Sequence, residues 1–90
     1  MRQLHVIVHG KVQGVWYRAW TRDTANEMGV TGWVRNMTSG DVEATAYGDA
    51  VLLEQFLTRL WDGPPLARVT AIDTEWSESN DTFKGFEVRR

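Results

Sequence analysis

Cysteine is absent from the sequence, which rules out a disulfide staple, a thiolate nucleophile and a thiolate metal site. A small apolar core must therefore stabilise the chain unaided. No apolar run approaches the roughly 18 residues that a membrane helix needs, and Met1-Arg2-Gln3-Leu4 leads into a strand-like segment rather than a signal peptide. A cytosolic location away from the membrane is the expectation. There is no surplus of basic residues either: a net charge of −2 and a pI near 5.6 argue against a nucleic-acid binder. Low-complexity tracts, internal repeats and linkers are missing, as are the Walker phosphate-loop pattern and the dinucleotide glycine fingerprint. His5 and His9 share a strand face, but no third ligand lies near them in sequence, so no metal site and no cofactor are expected.

What the chain does contain is enough for one domain: 90 residues, 42% of them hydrophobic, with five tryptophans to fill a core. Gln3 to His9 alternates, with Leu4, Val6 and Val8 on one face, which predicts a strand packed on one side. Tyr17 to Met28 predicts a helix with Tyr17, Thr21, Ala25 and Met28 on one stripe, with Arg22, Asp23, Asn26 and Glu27 outward and Gly29 as its C-terminal cap. Trp16 and Trp20, four apart, read as packing residues. Thr31 to Asn36 and Asp41 to Tyr47 predict a hairpin turned by Met37-Thr38-Ser39-Gly40, with Val42, Ala44 and Ala46 packed and Glu43, Thr45 and Tyr47 facing water. Asp49 predicts the cap of a second helix through about Trp61, with Leu53, Phe56, Leu57 and Leu60 on its core stripe and Asp62-Gly63-Pro64-Pro65 ending it. Arg68 to Trp76 is β-prone with imperfect alternation, which predicts a bulged or edge strand, and Lys84 to Arg90 a short last one. The order is β-α-β-β-α-β with an extra C-terminal strand. It predicts an α+β, ferredoxin-like sandwich with two helices on one face of a largely antiparallel sheet.

Between the first strand and the first helix lies Gly10-Lys-Val-Gln-Gly-Val-Trp-Tyr-Arg18. The first amides of a helix have no intrahelical partner and carry partial positive charge, and Gly14 lets the preceding backbone curl so that successive amides converge. A phosphate fits such a cradle, and the planar guanidinium of Arg18 matches two of its oxygens. On glycine spacing alone a simpler reading stands beside it, a shaped turn followed by a solvated arginine. Asn36 likewise reads, from its position alone, as a turn former.

Nine consecutive residues decide between these readings by resemblance. Gly10 to Arg18 is similar to the acylphosphatase signature G-x-V-Q-G-V-x-[FY]-R, with Tyr17 as the allowed aromatic. A second block, Gly32-Trp33-Val34-Arg35-Asn36 followed by Gly40, Val42 and Gly48, resembles the same family, and the similarity runs on through Gly63-Pro64-Pro65-Leu66-Ala67-Arg68-Val69 to Gly85-Phe86. Trp16 stands where a small residue is frequent, and Met37 where some members carry a hydroxyl. The resemblance implies an acyl phosphate substrate held by Gln13, Gly14, Val15, Trp16, Tyr17 and Arg18, with Arg18 as the phosphate-binding arginine and Asn36 as the water-orienting asparagine.

That chemistry suits the residues present. The carboxylate of an acyl phosphate leaves readily, so hydrolysis depends mainly on placing water and neutralising phosphoryl charge. A phosphate oxygen of the substrate can take the proton from water, and no carboxylate or histidine base is demanded. Inorganic phosphate is expected as product and inhibitor, and the chain is expected to act as a monomer. Ferredoxin-like domains also bind RNA or serve as regulatory modules, so a noncatalytic phosphate-binding module is the alternative.

Overall fold

A computed structural model describes residues 1–90. The elements are β1 (Arg2–Lys11), α1 (Tyr17–Met28), β2 (Thr31–Asn36), β3 (Val42–Gly48), α2 (Ala50–Asp62), β4 (Arg68–Glu78) and β5 (Phe86–Arg89). The sheet runs β4-β1-β3-β2-β5, with β2 and β5 parallel and every other pair antiparallel. This is the expected ferredoxin-like α+β fold, and the extra strand is β5, added beside β2 at the sheet edge.

Leu4, Val6, Val8, Val34, Val42, Ala44, Ala46 and Phe86 project from the sheet against Tyr17 and Ala25 of α1 and Leu53, Phe56 and Leu60 of α2, and all are buried. At about 25 cal/mol per Å² of apolar surface, this one layer is the main source of stability. Asp49 caps α2, its Oδ1 accepting from the Leu52 amide at 2.8 Å, and Gly29 ends α1 in a left-handed conformation.

β1 and β4 run longer than the alternation predicts, because their pairing continues from Arg2↔Glu78 to Lys11↔Arg68. β4 is both an edge strand and bulged: His9 pairs with Ala71 and Gly10 with Val69, which leaves Thr70 as the extra residue. Gly10 sits at φ 126, and a Cβ there would lie 2.1 Å from the Arg68 carbonyl oxygen, so the bulge requires glycine on the facing strand.

The outer face of the sheet departs from the expectation. Thr45 and Tyr47 are buried rather than wet: Thr45 lies between His5 and Trp33 on the flanking strands, and the segment after β4 folds back and stacks Phe83 on Tyr47 at 4.8 Å between ring centroids. Trp16 departs as well. It was expected to pack, but its indole is 78% exposed, and the Trp20 ring packs on Tyr17 at 5.6 Å instead.

Candidate functional site

Between β1 and α1 the chain turns through Gly14 (φ 74) and Trp16 (φ 69), both left-handed. A Cβ on Gly14 would meet nothing within 4 Å, so its backbone angle alone calls for glycine. The turn swings the peptide planes so that no carbonyl of the chain accepts from the amides of Gln13 through Ala19, and no side chain caps the helix. The first intrahelical bond is donated by Trp20 to the Trp16 carbonyl. A run of unpaired donors at the positive end of a twelve-residue helix is an anion-binding arrangement.

Five residues of this run, Gly14, Trp16, Tyr17, Arg18 and Ala19, line a cavity of about 480 Å³ together with Val12, Arg22, Asn36, Val88 and Arg90. Arg18 arrives in the first turn of α1, and Asn36 arrives from the last residue of β2. The Asn36 Oδ1 is buried and has no hydrogen-bond partner. A buried carboxamide oxygen left unpaired costs on the order of 1–3 kcal/mol, so this acceptor on a cavity residue is open to a bound molecule or water.

The expected binding residues divide. Gly14, Trp16, Tyr17, Arg18 and Asn36 line the cavity, whereas Gln13 and Val15 do not. Val15 is buried in the core. Gln13 Nε2 donates to the carbonyl oxygens of Met37 at 2.8 Å and Asp41 at 2.9 Å. That bond pair ties the loop to the β2–β3 turn, where the Met37 amide also donates to the Asp41 carbonyl. Gln13 thereby ties the loop of unpaired amides to the turn that follows Asn36. Tyr17 is 1% exposed, and its hydroxyl donates to the Leu60 carbonyl at 2.6 Å, joining the two helices. Burial pushes its phenol well above the ordinary value, so it stays neutral.

Arg22, Val88 and Arg90 were not anticipated by sequence reasoning. Arg22 was the more findable, since it follows Arg18 by one helical turn and shares its face. Val88 and Arg90 reach the cavity only because β5 pairs parallel to β2, in the register Gly32↔Phe86 to Arg35↔Arg89. No group of three or more histidine, aspartate or glutamate side chains is placed to hold a metal ion, and no helix is long and apolar enough to cross a membrane.

A ferredoxin-like sandwich with unpaired amides at a helix N-terminus, an arginine and an unpaired asparagine oxygen around one cavity defines a small α+β domain with an anion-binding arrangement on its surface. The acylphosphatase family model matches residues 4–88. Acylphosphatase from Methylococcus capsulatus is 48% identical over 100% of this chain and 98% of its own length, and that from Pelotomaculum thermopropionicum is 46% identical over 93% and 91%. The crystal structure of acylphosphatase from Bacillus subtilis, 33% identical, superposes with a TM-score of 0.96 over the whole of both chains. The chain belongs to the acylphosphatase family of hydrolases.

Proposed function

We propose that this chain hydrolyses acyl phosphates to a carboxylate and inorganic phosphate, with the phosphoryl group held by the amides of residues 13–18 and by Arg18, and with the attacking water oriented by Asn36. The observation that carries the reading is the unpaired Asn36 Oδ1 on the same cavity as the free loop amides and Arg18. In the reaction, the water oxygen forms a bond to phosphorus as the bond from phosphorus to the acyl oxygen breaks. Asn36 Oδ1 accepts one water hydrogen and so aims a lone pair at phosphorus, while a phosphoryl oxygen takes the other proton. The loop amides and Arg18 are preorganised toward the oxygens on which negative charge rests throughout, where they act without reorganisation. The product phosphate occupies the same cradle and inhibits competitively.

Hydrolysis of benzoyl phosphate by the purified protein tests the reading. Arg18→Ala is expected to lower kcat/KM at least about a hundredfold, with poor rescue by Lys for want of the planar fork. Asn36→Ala is expected to lower kcat far more than phosphate affinity, because water is held only on the way to the transition state. Near-normal turnover by Arg18→Ala overturns the assignment. A folded Asn36→Ala protein with wild-type kcat returns that residue to the role of turn former.

A further inference from the structure

One phosphoryl group engages Arg18 and the loop amides, yet three arginines, Arg18, Arg22 and Arg90, line the cavity, and no aspartate or glutamate does. Its volume of about 480 Å³ lies within the range of pockets that enclose a whole small ligand, well beyond the room a phosphate needs. Arg22 stands one helical turn past Arg18, a rise of about 6 Å along α1. Its contact with Asp23 uses Nε, at 3.1 Å, and both side chains of that pair are largely exposed, so it is loosely held. Arg90, which follows the end of β5, lines the cavity together with Val88. The cavity therefore has more arginines on its wall than one phosphoryl group needs.

Building on the phosphoryl reading of the cradle, we propose that Arg22 and Arg90 form a second anion subsite, selecting acyl phosphates whose acyl group ends in a carboxylate a short carbon chain away from the phosphoryl group. A phosphoryl group on Arg18 and the loop amides leaves a carboxylate at the end of a short chain within reach of the next turn of α1, and a guanidinium fork matches a carboxylate in two parallel hydrogen bonds. Val12 and Val88 in the cavity lining supply apolar surface for methylene groups. An acyl group without charge leaves Arg22 and Arg90 in water, where it neither gains nor loses from them.

Titration calorimetry with two unreactive phosphonates of equal chain length, 4-phosphonobutyrate and butylphosphonate, tests the subsite apart from turnover. The carboxylate-bearing ligand is expected to bind the wild-type protein about tenfold more tightly, the sum of two exposed charge pairs. In the Arg22→Gln, Arg90→Gln double variant that ratio should fall close to one. Arg59→Gln, which removes an exposed arginine on α2 away from the cavity, should keep the wild-type ratio. Equal affinities in the wild type, a ratio that survives the double substitution, or an equal loss in Arg59→Gln each overturn the subsite. Failure of both phosphonates to bind overturns the phosphoryl cradle itself and this inference with it.

Discussion

Trp16 combines an indole that is 78% exposed with a backbone at φ 69, a conformation that costs an L-residue about 1–2 kcal/mol. Neither property benefits the core, so the fold tolerates Trp16 for the direction it gives the neighbouring amides. Trp16→Gly is expected to stabilise the protein by up to about 1 kcal/mol, part of the relief being offset by the freedom glycine adds to the unfolded chain. In a chain of this size that raises Tm by a few degrees. Trp16→Ala removes the same indole without relieving the backbone and should not raise it, which separates strain from lost contact. A Tm unchanged by glycine and raised by alanine would refute the account. The strain itself was not legible in the sequence, because its spacing from Trp20 suggested packing and nothing in the residue type signals the left-handed backbone at Trp16.

At the level of the elements, β5 is the least secure, with four residues on a sheet edge and one strand to pair with. Asn26 of α1 secures it from below: its Oδ1 accepts from the Phe86 amide at 2.9 Å, and its Nδ2 donates to the Phe86 carbonyl at 3.3 Å. Asn26→Ala should therefore cost about 1–2 kcal/mol and speed hydrogen exchange at the Phe86 amide more than in β1 or β3. Uniform exchange across the sheet would count against this clamp. Periodicity placed Asn26 outward, and by position it is; what periodicity cannot express is that a short carboxamide on the rim can copy the two bonds of a neighbouring strand. The boundaries of α1 and β2 were legible to the residue because glycine and the signature loop punctuate them. Ends of β1 and β4 were not, since each depends on how far the other continues. In the site, Arg18 and Asn36 were legible from local blocks, whereas Arg90 enters through a parallel pairing that no local pattern records.

Across the whole molecule, charge is arranged on the outer sheet face in a way that gives stability a pH dependence separate from the chemistry. His9 bridges two elements, with Nδ1 at 3.0 Å from Asp41 and Nε2 at 2.8 Å from Asp73. The hydrogen bonds to Asp73 and then Asp41 raise its pKa above the ordinary 6.5. A raised folded-state pKa gives stability that is full below 6.5 and is lost as pH rises through the folded value. Glu43, held by His5 and secondarily by Arg35, has its pKa lowered from 4.5, so its contribution is present above 4.5 and is lost as pH falls through the depressed value. Tm is thus expected to be highest between these limits and to decline above pH 6.5, and His9→Asn should flatten the upper limb. A guanidinium and a carboxamide do not titrate near neutrality, so kcat should stay level between about pH 6 and 8 while Tm falls. A rate profile that follows the histidine limb would show that His9 acts on turnover.

The order of strands also governs how the chain finds this structure. β1 is made first, yet both its neighbours come later, β3 from residue 42 and β4 from residue 68, and β2 meets β5 only at residue 86. Only the β2–β3 hairpin joins strands that are close in sequence. Chain closure over such distances must be completed before most pairings return any energy, which places folding among the slower single domains, on a scale of about milliseconds to seconds. During that interval β1 presents an alternating hydrophobic strand with two open edges, and self-association in refolding should rise with protein concentration from this segment first.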